Sequence, residues 1–290
     1  MCPRVVFLIL NYNSYVDTIK LTDELLAFNS QYFDYSILIV DNKSSNDSFK
    51  ILSDEYENII KVEVISTNYN GGYAKGNNFG LWYLKDNAPE YVCIINNDVH
   101  FSSITIEKLI DQYEKIPDVG IISPIQLLPS GEPAKFSSLK IPSFLQDLLM
   151  YTPYYRIKDH LVGNNLIPKE ERVLEVEIIP GAFLFVKYKT FKQLEFFDEI
   201  TFLFCEERFT AIKTKKAGLK NYLIPYLSYI HEHSKTINTE ASRLKQLDYL
   251  QDGKLKFTKV YRRFPVIKCI LLNGFYYLKK FAIKILIKTT

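Results

Sequence analysis

Asp98 stands directly after a short apolar run, residues 91–95, and behind Asn96 and Asn97. A carboxylate at the mouth of a buried strand is a natural oxygen ligand for Mg2+ or Mn2+, hard cations that bridge protein and diphosphate. The two asparagines can add hydrogen bonds to a ribose or a phosphate. Taken alone, the three residues also make an ordinary polar turn, because Asn and Asp are default turn residues. A second candidate is His231-Glu232-His233-Ser234. Histidine is the commonest transition-metal ligand, although a pair of surface histidines is equally ordinary. Two acidic pairs follow one another, Asp198-Glu199 and Glu206-Glu207, with Phe202 and Phe204 between them. A carboxylate among aromatic rings gains the basicity needed to take a proton from a hydroxyl. Acids at a helix start also simply suit the helix dipole.

The stretch Asn70-Gly71-Gly72-Tyr73-Ala74-Lys75-Gly76-Asn77-Asn78-Phe79-Gly80 is dense in Gly and Asn. Glycines before and inside a helix start let the backbone approach a ligand closely. Free N–H groups at that helix end favour an anion such as diphosphate. The spacing lacks the Gly-Lys-Ser/Thr ending of a P-loop, and a dinucleotide fingerprint would follow the first strand instead. A plain loop is the simpler alternative.

Strands and helices must hold these groups in place. Apolar runs at residues 5–10, 36–40, 61–65, 91–95 and 120–123 read as short strands. Segments with helical spacing lie between them, at 16–28, 47–56, 73–85 and 104–116. Continuous apolar strands alternating with amphipathic helices predict a mostly parallel sheet flanked by helices, an α/β fold. Ligands of such sheets bind at the C-terminal strand ends. Those ends carry Asn11 to Asn13, Asp41, Asn68 to Asn70, and Asn96 to Asp98, one after another. Residues 127–169 read as a loop region with short helices, and long loops in compact domains are often functional. Strand pattern returns over 173–186, broken at Pro180-Gly181, and over 221–230, with a helix at 204–217 ended by Gly218.

A domain over 1–236 is therefore expected, with a helical extension over 237–290. Its last part, 265–290, mixes Ile, Leu, Phe and Tyr with lysines and has no acidic residue. Net charge is +3, but residues 254–290 hold ten Lys and Arg, leaving the rest at −7. An apolar face edged by cations suits peripheral contact with a membrane surface. A helix packed on its own domain with a solvated basic face is the alternative. Hydrophobic content of 47% and charged content of 24% argue against disorder. The four cysteines, Cys2, Cys93, Cys205 and Cys269, are far apart in sequence and form no metal-ligand spacing, and reduced thiols fit a cytoplasmic setting. The N-terminus shows no signal-peptide pattern. No uncharged run is long enough to span a bilayer.

The order of these pieces resembles the family 2 glycosyltransferases of GT-A fold over residues 3–236, and within them the bacterial rhamnosyltransferase-like branch. The branch pattern is met by Asn11-Tyr12-Asn13 and by Val40-Asp41-Asn42-Lys43-Ser44-Ser45-Asn46-Asp47. It is met again by Asn70 to Gly80, Asn96-Asn97-Asp98, Gly181-Ala182, Phe197-Asp198-Glu199, Glu206-Glu207 and His231.

The resemblance implies an inverting, metal-dependent hexosyl transfer. The donor would be a dTDP- or UDP-sugar, carrying rhamnose or another hexose. The acceptor would be a glycan, in particular a lipid-linked one, in the synthesis of cell-wall, capsule or O-antigen polysaccharide at the inner face of the membrane. No nucleic-acid partner is expected. Asp98 would bind the divalent cation, Mn2+ or Mg2+, with His231 as a further ligand. Asp41 would hydrogen-bond the donor base, and Asn96 would touch ribose or phosphate. Asn11, Asn13, Asn70, Gly72, Lys75, Asn77, Asn78 and Asn97 complete the expected donor set. Glu207 takes the place of the usual base, with Glu206 the near alternative. Phe209 and Lys213 depart from the pattern, standing where the branch commonly has an acid and an Arg. They leave open a second reading, a catalytically weak relative that binds nucleotide-sugars or partner enzymes as a scaffold. A dehydrogenase or methyltransferase is a third, opposed by the absence of a Gly-rich turn after the first strand.

Overall fold

A computed structural model describes residues 2–134, 140–153, 172–232 and 240–289. Nine strands form one mixed sheet: β1 (Arg4–Asn11), β2 (Asp34–Asp41), β3 (Val62–Ser66), β4 (Tyr91–Ile95), β5 (Val99–His100), β6 (Val119–Leu127), β7 (Leu174–Val176), β8 (Phe183–Lys187) and β9 (Lys220–His231). Their order is β3-β2-β1-β4-β8-β6-β9-β5, with β7 also on β9. Strands β1 to β4 pair in parallel. The expectation of a mostly parallel sheet holds for six strands of nine. Strands β5, β7 and β8 run the other way.

Alternation along β1 shows why the sheet is covered on both faces. Val5, Phe7 and Ile9 pack with α1 (Tyr15–Leu26), α2 (Ser48–Tyr56) and α4 (Ser103–Lys115) through Leu21, Leu52 and Ile106. Val6 and Leu8 point to the other face, where α3 (Gly72–Tyr83) and α6 (Tyr188–Gln193) contribute Ala74, Leu81 and Phe191. A strand buried on both sides needs apolar residues at every position, and the five residues of β4 meet that demand.

Strand β9 carries a bulge. Its register against β6 shifts between Pro124 and Ile125, across Pro225 on β9. Proline cannot donate to the ladder, and the three β9 residues passed over there, 225–227, re-aim the strand beyond them. The second half of β9 then pairs with β5, setting Val99 opposite His231.

The C-terminal extension is a pair of helices, α8 (Glu240–Tyr261) and α9 (Pro265–Thr289). They pack on α5 (Phe144–Leu149) and α7 (Glu206–Lys216) through two small apolar clusters, around Leu272 and Tyr276 and around Phe209 and Phe257. At this junction Asp147 is fully buried among three cations. Arg208 Nη1 donates to both its oxygens at 3.0 Å, Arg262 Nη2 approaches to 2.5 Å, and Lys254 Nζ lies 3.6 Å away. Helix α5 falls within the stretch expected to be loop with short helices. Residues 135–139 and 154–169 of that stretch lie outside the described residues, as do His233 and Ser234. Among the described residues no helix is long and apolar enough to cross a membrane.

Candidate active site

Three strand ends are tied by one chain of hydrogen bonds. Asn11 Nδ2 donates to Asp41 Oδ2 at 2.8 Å, joining β1 to β2. Thr18 Oγ1, one turn into α1, donates to Asn11 Oδ1 at 2.8 Å. Asn97 Nδ2 donates to Thr18 Oγ1 at 2.9 Å, which brings in the end of β4. Asp41 also accepts from Ser44 N at 2.9 Å and Ser44 Oγ at 2.6 Å, and is only 1% exposed. Asn13, held at φ 57°, closes the rim by bonding Ser45 through both its amide atoms. These residues were expected to touch the donor. In the structure Asn11 and Asp41 are buried and Asn97 is half-buried, and hydrogen bonds through Thr18 link their side chains into a frame at the strand ends.

Beyond this frame Asp98 meets His231, with Oδ1 and Nε2 3.0 Å apart. The re-aimed end of β9 makes the pairing, and Glu232 N donates to the Asp98 carbonyl at 2.9 Å. Tyr229 donates to Gln126 Oε1 at 3.3 Å, which leaves Gln126 Nε2 against His231 Nδ1 at 3.2 Å. That contact and the Asp98 pairing hold the imidazole from both of its ring nitrogens. One carboxylate oxygen and one imidazole nitrogen suit Mn2+ or Mg2+ shared with diphosphate oxygens. No cluster of three or more His, Cys, Asp or Glu placed to hold a metal occurs among the described residues. One carboxylate and one imidazole are fewer than the four protein ligands of a closed structural site. Asn96 sits between frame and pair, partly exposed, its N–H bonded to the Ala182 carbonyl at 3.0 Å.

The glycine-rich stretch starts α3, but its first N–H groups are already taken. Gly71 N donates to Asn42 Oδ1, Gly72 N to Asn70 Oδ1 and Tyr73 N to the Phe202 carbonyl. The expected diphosphate cradle at this helix start is thus filled by the protein's own acceptors. Gly72 has φ +84°, and a Cβ there would meet the Phe202 carbonyl oxygen at 1.9 Å, so only glycine fits. Asn77 donates to the Tyr73 carbonyl within α3. Asn78 clamps α3 to the following loop, donating to the Phe197 carbonyl and Glu199 Oε1 and accepting from Phe197 N. Both asparagines are buried. Lys75 lines a separate hollow with Tyr69, Trp82 and Glu199.

An open groove of about 320 Å3 runs beside this helix start, lined by Tyr12, Asn42, Asn70, Gly72, Tyr73 and Phe202, with further residues from α8. It is large enough for a small organic ligand. Behind it lies a cavity of about 10 Å3, room for about one water, lined by Tyr73, Gly181, Glu206 and Glu207. Tyr73 is the wall common to both.

The Glu pair does not point into bulk solvent. Burial, then the adjacent negative charge of Glu207, pushes the Glu206 carboxyl up to about 8. Burial also raises Glu207, with the Arg208 guanidinium opposing. Glu206 Oε2 is buried without a hydrogen-bond partner. Cys205, just before the pair, sits at φ 71°, which turns the chain sharply into α7. Phe209 faces away from the pair, fully buried edge-on against Phe257 with ring centroids 5.4 Å apart. Its ring belongs to the packing of the C-terminal helices. Lys213 Nζ donates to the Phe196 carbonyl at 2.9 Å and fixes the loop before Asp198. Thr18, Gln126 and Phe202 belong to the site framework without having been expected there. No local signal marks them, because each acts on a partner distant in sequence.

A mixed sheet with Asp98 paired to His231 past its fourth strand, a groove beside α3 and the Glu206-Glu207 pair behind it has the GT-A glycosyltransferase architecture. Solved structures share it. The chain superposes on GalNAc-T7 with UDP, GalNAc and Mn2+ at TM-score 0.63 and 12% identity, covering 88% of this chain and 48% of that one. It superposes on the mannosyltransferase PcManGT from Pyrobaculum calidifontis in complex with GDP-Man and Mn2+ at TM-score 0.61 and 16% identity, covering 98% and 73%. The chain belongs to glycosyl transferase family 2, whose family model matches residues 7–168. Among curated proteins it is 23% identical over 217 residues to the N-acetylglucosaminyl-diphospho-decaprenol L-rhamnosyltransferase of Mycobacterium tuberculosis, covering 71% of this chain and 69% of that protein. The chain is a glycosyltransferase.

Proposed function

We propose that this glycosyltransferase moves a hexose, rhamnose or a close relative, from a dTDP- or UDP-sugar to a lipid-linked glycan, with inversion, in bacterial surface polysaccharide synthesis. The observation that carries the reading is the sharing of Tyr73 between the groove and the cavity of the Glu pair. A nucleotide in the groove and an acceptor hydroxyl at the carboxylates are thereby neighbours. Asp98 and His231 would hold the divalent cation, which neutralises charge on the leaving diphosphate when bound. Asn96 stands beside them for ribose or phosphate, and Asp41 keeps Asn11 and Ser44 in place.

The reaction balances as a single displacement. A Glu207 or Glu206 carboxylate takes the acceptor O–H proton, the freed oxygen forms the new bond at the anomeric carbon, and the carbon–oxygen bond to the diphosphate breaks. The raised basicity of the buried pair suits proton removal near neutral pH. The named activity of the mycobacterial relative supports the lipid-linked acceptor.

Helix α9 supports contact with the inner membrane face. Leu272 and Tyr276 are buried against the domain, while Val266, Ile267, Ile270, Leu278, Phe281 and Ile285 remain exposed. That apolar stripe, flanked by lysines, suits a helix lying in the headgroup region. A thermal-shift screen of UDP- and dTDP-sugars with Mn2+ tests the donor, since a selective ligand stabilises the fold. Failure of every nucleotide-sugar to shift the melting temperature would sink this reading.

A further inference from the structure

The groove assigned above to the donor is not completed by the family-matched part of the chain. Three of its lining residues, Lys245, Gln246 and Tyr249, come from α8, in the C-terminal pair of helices. Tyr249 stacks on Phe202, ring centroids 4.7 Å apart and planes 29° from parallel. Phe202 is the residue whose carbonyl accepts from Tyr73 N at the start of α3. Farther along α8, Gly253 lies so close to the 204–205 backbone that a Cβ would meet the Phe204 carbonyl oxygen at 2.9 Å and Cys205 Cβ at 3.0 Å. Helix α8 is therefore seated firmly on the segment that leads into the Glu pair.

The chemistry of the groove is specific. Tyr12, Phe202 and Tyr249 supply flat rings, and Asn42 and Asn70 supply amides. Among the described residues Lys245 is the single charged one in the lining, and its Nζ lies 5.8 Å from the Tyr249 ring centroid. Flat rings with one cation and no acid suit a planar base joined to a phosphate anion.

We propose that α8 is a working part of the donor site, with Tyr249 packing the nucleobase side of the groove and Lys245 pairing with the donor's phosphate. This rests on the reading of the groove as the nucleotide site. It makes the C-terminal helices a determinant of donor affinity as well as a membrane-facing element.

Titration calorimetry of the full chain with UDP, dTDP and GDP, each with Mn2+, tests it. Lys245→Met and Tyr249→Ala are each expected to weaken the nucleotide that binds best by about tenfold, as loss of one charge-assisted or stacking contact does. Tyr249→Phe keeps the ring and should bind like the parent. Lys245 is exposed, so its variant decides the matter if Tyr249→Ala fails to fold. Binding by Lys245→Met within twofold of the parent overturns the role of α8 while leaving the donor reading intact. A parent chain that binds none of the three nucleotides overturns the donor reading itself, and the role of α8 with it.

Discussion

The Tyr73 hydroxyl donates to the Gly181 carbonyl at 2.5 Å, bolting the start of α3 to the turn before β8. Tyr73 lines both the groove and the cavity that holds buried Glu206 and half-buried Glu207. Ala182, the next residue after Gly181, accepts from Asn96 N. A short path of contacts thus runs from the Asp98 strand end to Glu206 and Glu207. Replacing Tyr73 by Phe removes the bond and keeps the ring. We expect a stability loss of about 1 kcal/mol by thermal melting, with a fall in kcat larger than any change in donor affinity.

On the proposal that Asp98 and His231 hold the cation, Asp98→Ala should lower metal-dependent transfer by at least about 100-fold. Chelation with EDTA should do the same to the parent chain, and added Mn2+ should restore it. An Asp98→Ala chain with parental transfer rates would remove Asp98 from the mechanism.

The raised carboxyls set the sign of the pH dependence. A base must be ionised to act, so transfer should rise with pH through the neutral range toward about 8. Stability should move oppositely. The folded state holds the Glu206 proton to higher pH than the unfolded chain does, so unfolding free energy falls between the ordinary carboxylate pKa, about 4.3, and the folded value. Glu206→Gln should flatten that decline in melting temperature, and a pH-rate profile read beside the melts separates the two effects.

At the C-terminal junction, one carboxylate faces three cations. Asp147→Ala would leave Arg208, Lys254 and Arg262 buried without their counter-charge, at a cost of about 3–5 kcal/mol in denaturant unfolding. Burial already depresses the Lys254 ammonium to about 8. Lys254→Met should therefore be far milder than Asp147→Ala, and equal losses would show that the excess positive charge is not what strains the cluster.

The exposed stripe on α9 gives a surface test. Leu278 and Phe281 are 69% and 65% exposed, so replacing both with Glu should leave melting unchanged. Cosedimentation with anionic lipid vesicles should fall sharply. Undiminished cosedimentation would assign the stripe another role.

Much of the architecture was legible because it is periodic. The two-faced strands and their helices were found within a few residues of their observed ends, since burial on both faces forces a continuous apolar run. The strand-end asparagines were visible as types, but not their division of labour. Asn78 and Asn70 are equally polar in the sequence. One clamps Phe197 and Glu199 and the other lines the groove, a difference set by which way each faces on one helix start. The two-residue β5 and the bulge that brings His231 to Asp98 were not legible, because pairing partners far apart in the chain decide them.

By itself, then, the sequence determined the α/β class, the family and the residue types gathered at the strand ends, because local periodicity and motif order are properties of neighbouring residues. The tertiary structure alone decided that Asp41 is frame while Asn42 is lining, that Phe209 belongs to the core, and that α8 closes the groove. Those are questions of which surfaces meet, and they depend on how distant segments bury each other's apolar area and satisfy each other's polar groups.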